Sequence, residues 1–191
     1  WIAIDNPDRD RNPVTRLVLD RVDARPGMII ADIGAGGGYF AARFSPLVGP
    51  TGRVLAVDAD PRMVRKVAYE RGVRGLQNII PIGVIYGNLG LAPASVGVIT
   101  FIEVGALLSW EPARNREYLH QVAGALRSGG RLLVVNDSSE RRASSGGTAG
   151  CRILPLEALI DAAAPEFTAL HREEILLPSG WHGYAALFQK R

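Results

Sequence analysis

Ala31-Asp32-Ile33-Gly34-Ala35-Gly36-Gly37-Gly38-Tyr39-Phe40 is the stretch around which the chain is organised. An apolar, strand-like run from Met28 to Ile33 leads into it, and a helix-like run from Tyr39 to Leu47 follows. Strand, glycine turn and helix in that order form the first half of a βαβ unit suited to a nucleotide-like ligand. Gly34, Gly36 and Gly38 lack a Cβ, so the backbone can turn tightly and lie against such a ligand. The helix that follows would offer unpaired N–H groups at its start. The spacing is not the dinucleotide pattern G-x-G-x-x-G, because Tyr39 stands where the third glycine would be. It reads D-x-G-x-G-x-G. The Asp32 carboxylate at the strand end would repel a pyrophosphate and suit an ammonium or sulfonium charge. A tight strand-to-helix turn that binds nothing is the plain alternative.

A second unit reinforces the first. Arg53-Val54-Leu55-Ala56-Val57-Asp58 is a buried strand ending in an acid. It lies roughly 20 residues beyond the turn, where a carboxylate accepts both ribose hydroxyls. Asp60-Pro61 reads as the N-cap and first position of a helix over Arg62 to Arg71. Ala59 and Met63 would then neighbour an adenine, although Met63 at helical spacing also suits a core.

The remaining chain extends the alternation. Asn12 and Pro13 open a helix over Val14 to Ala24, ended by Pro26-Gly27. Asp8, Arg9 and Arg11 just before it read as surface charge, with reach into a site as the alternative. Asn78 to Ile82 is a third strand, Val96 to Val104 a fourth, Pro112 to Arg127 a helix closed by Ser128-Gly129-Gly130, and Arg131 to Asn136 a fifth strand. Residues 137–150 are small, polar and turn-rich, and read as a mobile loop at a strand end. A helix over Pro155 to Ala164 and two strands, Phe167 to Leu177 and Gly183 to Lys190, complete the chain. The expected fold is α/β: a Rossmann-like, doubly wound sheet of seven strands, mostly parallel, with an antiparallel C-terminal edge strand. One domain over 1–191 is expected: an N-terminal cap helix region (1–26), a cofactor-binding core (27–136), then the loop, helix and strand pair (137–191).

Composition narrows the function. The 191 residues are 47% hydrophobic and 21% charged, and no apolar run reaches the length of a membrane span. The net charge of +3 comes mostly from scattered Arg residues, a solvated surface rather than a nucleic-acid stripe. Cys151 is the lone cysteine, and the three His residues lack metal-ligand spacing, so no metal is expected. His120 falls off its helix's apolar face. His182 is either a plain turn residue or the edge of a pocket. The chain opens at Trp1, so an upstream segment is expected, a removed signal or otherwise.

The D-x-G-x-G-x-G turn, the acidic second strand end and the late run Ala125-Leu126-Arg127-Ser128-Gly129-Gly130-Arg131-Leu132-Leu133 resemble the class I S-adenosylmethionine (SAM)-dependent methyltransferases, along nearly the whole chain. Small bacterial members with uncharacterised substrates carry a similar pattern. The resemblance implies SAM as cofactor and S-adenosylhomocysteine as product. It implies that Asp32, Gly34, Ala35, Gly36 and Gly38 hold the methionine end, Asp58 the ribose, and Ala59, Met63 and Val84 the adenine side. Such proteins usually have Gly-Asp after the third strand, where this chain has Gly83-Val84, so Asn88 or the backbone around Ile85 would have to substitute. An acid expected before the fourth strand is Gly97, and an Asp with an aromatic-His pair after it is Glu103-Val104-Gly105-Ala106.

Methyl transfer from SAM is an in-line displacement with a neutral leaving group, so the protein's task is to bind, align and desolvate. A base is needed only where the acceptor arrives protonated. Glu103, also placed to touch the cofactor, and Asp137 are the candidate catalytic carboxylates, with surface or supporting roles as the alternative. The expected activity is SAM-dependent methyl transfer to a small-molecule acceptor. A catalytically silent, methyltransferase-like binding or regulatory protein is the alternative. A homodimer is compatible with the sequence, and the default location is the cytoplasm, where SAM is made.

Overall fold

The computed structural model describes residues 7–104, 112–137, 154–176, 180 and 182–191. The strands are β1 (Ile29–Ile33), β2 (Arg53–Asp58), β3 (Ile79–Gly83), β4 (Val96–Ile102), β5 (Leu126–Asp137), β6 (Phe167–Leu176) and β7 (His182–Lys190). The helices are α1 (Pro7–Asp10), α2 (Pro13–Val22), α3 (Tyr39–Val48), α4 (Pro61–Arg74), α5 (Pro112–Ala125) and α6 (Leu156–Ala163). The strands form one sheet in the order β3-β2-β1-β4-β5-β7-β6. The pairs β2–β3, β1–β2, β1–β4 and β4–β5 are parallel, and β7 runs antiparallel to both β5 and β6. This is the expected seven-strand α/β sheet. The antiparallel strand β7 lies between β5 and the outermost strand β6.

Local chemistry explains the elements. The Asn12 side chain accepts from the Val14 N–H, and Pro13 starts α2 without an N–H to satisfy. The Asp60 side chain accepts from the Arg62 N–H ahead of α4, again with proline at the first position. Asn78 lies just before β3 rather than in it. Its amide donates to the Ser45 and Gly49 carbonyls at 2.8 and 2.9 Å and so closes the end of α3. Ser128-Gly129-Gly130, expected to close α5, falls inside β5, where the pairing with β4 slips between Val96 and Val98.

The sheet buries both faces. Val18, Val22, Phe40, Phe44 and Val67 pack on Ile30, Val54, Val98 and Leu133 on one side. Leu119, Val122 and Leu159 pack on Ile99, Phe101, Leu132 and Val134 on the other. Phe44 is wholly buried, and such a side chain contributes about 1.5–3 kcal/mol. The strand order reverses between β1 and β4, so a crevice opens at their carboxyl ends. That reversal positions the site. Among the described residues no helix is long and apolar enough to cross a membrane.

Candidate functional site

The turn after β1 is built on left-handed backbone. Gly34, Gly36 and Gly38 have φ of 72°, 54° and 86°. The Gly34 and Ala35 N–H groups donate to the Val57 carbonyl at 2.8 and 3.0 Å, which holds the turn against β2. A Cβ on Gly34 would meet Val104 Cγ1 at 2.0 Å, so the chain leaving β4 packs directly on the turn. A Cβ on Gly36 would meet nothing within 4 Å.

Asp58 ends β2 beside this open space. Its Oδ2 accepts from the Gly36 N–H and its Oδ1 from the Asp60 N–H, both at 2.8 Å. Two backbone donors fix the carboxylate, and two of its roughly four lone-pair sites remain for other donors. Asp60 acts as a helix cap, as expected. Ala59 is exposed and Met63 half-buried at the start of α4.

Asp32 is only 3% exposed. Its Oδ1 accepts from Thr100 Oγ1 at 2.9 Å, and it also accepts from the Ala41 N–H in the first turn of α3. Burial pushes its pKa up to about 7, only partly offset by the Thr100 bond and by the charge of Arg9. Asp32 therefore lies against α3 beneath the turn.

The Val84 N–H donates to the Asp58 carbonyl at 3.2 Å, which keeps the end of β3 next to that of β2. Asn88 uses its Oδ1 to accept from the Gly90 N–H at 2.8 Å, capping its own turn. Gly97 sits near the amino end of β4, at the opposite end of the sheet from the crevice, and the Arg127 guanidinium covers it. The missing acid there is remote from the site. A groove of about 610 Å³ also lies at that far end, between the end of α3 and the starts of β2 and β3.

Glu103 follows β4 with φ of 57°, a left-handed backbone that costs a non-glycine residue about 1–3 kcal/mol. Its N–H donates to the Val135 carbonyl at 2.7 Å, and its Oε2 accepts from Arg9 at 3.1 Å. The Arg9 guanidinium lies 4.2 Å from the Tyr39 ring centroid and 4.9 Å from that of Phe40. Its side chain is 17% exposed. Arg9 is thus packed between the start of α3 and the end of β4 rather than standing as free surface charge. Asp8 and Arg11 do pair with each other in solvent.

The segment carrying Arg9 is strapped to α3. Thr15 Oγ1 donates to the Arg9 carbonyl at 2.7 Å. The Tyr39 hydroxyl and Arg43 Nε each donate to Asp10 Oδ1 at 2.7 Å, and a further Arg43 nitrogen reaches the same oxygen. Hydrogen bonds from Tyr39 and Arg43 hold the Asp10 pKa below its usual value. The signal for Arg9 was its place just before the first long helix, and nothing local distinguishes it from Arg11. Asn136, wholly buried near the end of β5 beside Tyr184, was also not anticipated, and its Oδ1 has no hydrogen-bond partner among the described residues.

Asp137 closes β5, and its side chain lies outside the described residues, as do 138–153 and Cys151. His120 is largely exposed and meets Glu166 at 2.6 Å. His182 opens β7 opposite Leu176, with Glu174 at 4.0 Å. No group of three or more metal-ligating side chains occurs among the described residues.

Residues 30–130 match the family described as "Methyltransferase domain". The chain is 34% identical over 181 residues to the nocamycin O-methyltransferase of Saccharothrix syringae, covering 91% of this chain and 60% of that protein. It is 30% identical over 129 residues to the ubiquinone/menaquinone biosynthesis C-methyltransferase UbiE of Pasteurella multocida, covering 64% of this chain and 45% of that one. The chain thus spans less than two thirds of either relative. The PH0226 protein from Pyrococcus horikoshii superposes with a TM-score of 0.79 at 14% identity, over 100% of this chain and 95% of that one. Geranyl diphosphate methyltransferase in complex with SAM superposes with a TM-score of 0.78 at 12% identity, over 93% of this chain and 84% of that one. These two likenesses concern the fold. The family match covers more than half of the chain, which belongs to the SAM-dependent methyltransferase-domain family.

Proposed function

We propose that this chain transfers a methyl group from SAM to an oxygen of a small-molecule acceptor. The observation that carries the reading is the Asp58 carboxylate, fixed by the Gly36 and Asp60 N–H groups at the open side of the left-handed turn. The residues fit the cofactor. Asp58 retains lone pairs for two ribose hydroxyls. The buried Asp32, raised to about pKa 7, gains from a nearby ammonium group. The half-buried Met63 and Val84 flank the adenine side.

SAM supplies a sulfonium-activated methyl group and leaves as a neutral thioether. The chain does the rest. Val104 packs on Gly34 and brings the end of β4 against the turn, so that Glu103, bonded through its N–H to the Val135 carbonyl of β5, stands next to it. Its carboxylate takes the proton from a hydroxyl acceptor. Asp137, closing the neighbouring strand, is the second carboxylate proposed at the acceptor side. Oxygen as the acceptor atom is supported by the relative named as a nocamycin O-methyltransferase.

The test is incubation with isotopically methyl-labelled SAM and a panel of phenolic, enolic and carboxylic small molecules. Label in an oxygen-methyl product is the expected result. Tight S-adenosylhomocysteine binding without turnover on any acceptor class would contradict it and favour the catalytically silent reading.

A further inference from the structure

Arg9 links the segment before α2 to the end of β4 through Glu103. Its guanidinium rests on the rings of Tyr39 and Phe40, the first two residues after the turn. The buried Asp32 carboxylate accepts from the Ala41 N–H, one residue beyond Phe40, and feels the Arg9 charge. Among the described residues Arg9 also binds the Glu103 carboxylate, brought from 94 residues away on a left-handed backbone. A buried carboxylate and a ring-stacked guanidinium are therefore both anchored on the first turn of α3, at residues 39–41. That pairing is complementary to a free α-amino acid group, whose ammonium and carboxylate are held side by side.

We propose that Arg9 receives the carboxylate of the cofactor's amino-acid end and exchanges Glu103 for it. The inference rests on the SAM reading above and adds a residue and an order of events. With the cofactor absent, Arg9 and Glu103 hold each other. With it present, Arg9 turns to the ligand carboxylate, Asp32 faces the ammonium, and Glu103 is released toward the acceptor. The guanidinium fork suits this role better than a point charge, because it can present two parallel N–H donors to a carboxylate while its plane stays on the aromatic rings. The strap through Asp10, Tyr39, Arg43 and Thr15 keeps the Arg9 backbone in place during the exchange.

The experiment compares two ligands by calorimetric titration: S-adenosylhomocysteine and 5′-methylthioadenosine, which has the nucleoside thioether and no amino-acid group. For Arg9→Gln, S-adenosylhomocysteine affinity is expected to fall about 10- to 100-fold, with 5′-methylthioadenosine affinity unchanged. Arg9→Lys is expected to recover part of the loss. Glu103→Gln, which removes the competing carboxylate, is expected to tighten S-adenosylhomocysteine binding about twofold to fivefold. Equal losses for both ligands in Arg9→Gln would show a structural role and overturn the proposal, as would undiminished S-adenosylhomocysteine binding. In either case wild-type binding would leave the cofactor reading standing. Wild-type protein that binds neither ligand overturns that reading and this inference with it.

Discussion

The two sides of the crevice hold their carboxylates by different means. On the β1–β2 side, backbone does the holding. Asp58 is fixed by two N–H groups within 22 residues of it in sequence, and the turn hangs from the Val57 carbonyl. On the β4 side, the Glu103 carboxylate is held by a side chain 94 residues away, and its own backbone is left-handed. A group fixed by backbone is ready for a ligand before the ligand arrives. A group fixed by a charged partner is ready only once that partner has somewhere else to go. Under the proposed function, the difference suits one side to standing cofactor recognition and the other to chemistry that waits for the cofactor.

The largest expected break in this comparison is at the backbone-held side. Asp58→Ala removes the proposed acceptor for both ribose hydroxyls and frees the Gly36 N–H. S-adenosylhomocysteine affinity is expected to fall about 100-fold, the loss of two charge-assisted hydrogen bonds. A change below about threefold in calorimetry would place the ribose elsewhere.

Two glycines separate close packing from backbone conformation. Gly34→Ala drives a methyl group into Val104 and strains a left-handed residue. It is expected to destabilise by about 2–4 kcal/mol. Gly36→Ala meets open space, so only conformational strain remains, about 1 kcal/mol. Urea midpoints would show the contrast, and equal shifts would mean that Val104 yields freely.

Asp32 gives a pH signature. Its folded pKa of about 7 exceeds the unfolded value, which is about 3.9. Between those values the folded state keeps a proton that the unfolded state has lost. Stability from this group is therefore fully present below the unfolded pKa and is lost as pH rises through the folded one, by a few kcal/mol. Asp32→Asn should flatten that slope in melting experiments from pH 4 to 8. A bound ammonium favours the ionised acid, so wild-type affinity for S-adenosylhomocysteine should rise across pH 6 to 8, and that of Asp32→Asn should not.

The last expected effect is a gain. Val84→Asp places a carboxylate where the resemblance implies one, at the end of β3 beside Asp58. It should tighten S-adenosylhomocysteine binding about tenfold. No gain in calorimetry would mean that the half-buried side chain at 84 faces away from the adenine.

The same contrast governs what could be read from the chain alone. The glycine turn, the acid ending β2 and the Asn12-Pro13 and Asp60-Pro61 caps were legible because each is a local device whose cause sits within a few residues. That Gly97, standing where an acid is expected, is remote from the crevice is shown only by its place near the amino end of β4, under Arg127. Arg9 and Arg11 are alike in sequence, two positions apart in one charged run. Only the fold shows that one stacks on Tyr39 and Phe40 while the other pairs with Asp8 in solvent. Long-range ion pairs leave no periodicity to read. Asn88 illustrates the opposite failure: a plausible substitute for a missing acid is already committed to the Gly90 N–H of its own turn.

The central claim is that the turn and Asp58 form a SAM site and not a dinucleotide site. Calorimetric titration of the folded protein with S-adenosylhomocysteine, and separately with NADH, tests it most directly. The account predicts roughly micromolar binding of S-adenosylhomocysteine and none of NADH, whose pyrophosphate would face the Asp32 carboxylate at a turn that lacks the third glycine. Binding of NADH without S-adenosylhomocysteine, or of neither by well-folded protein, would contradict it.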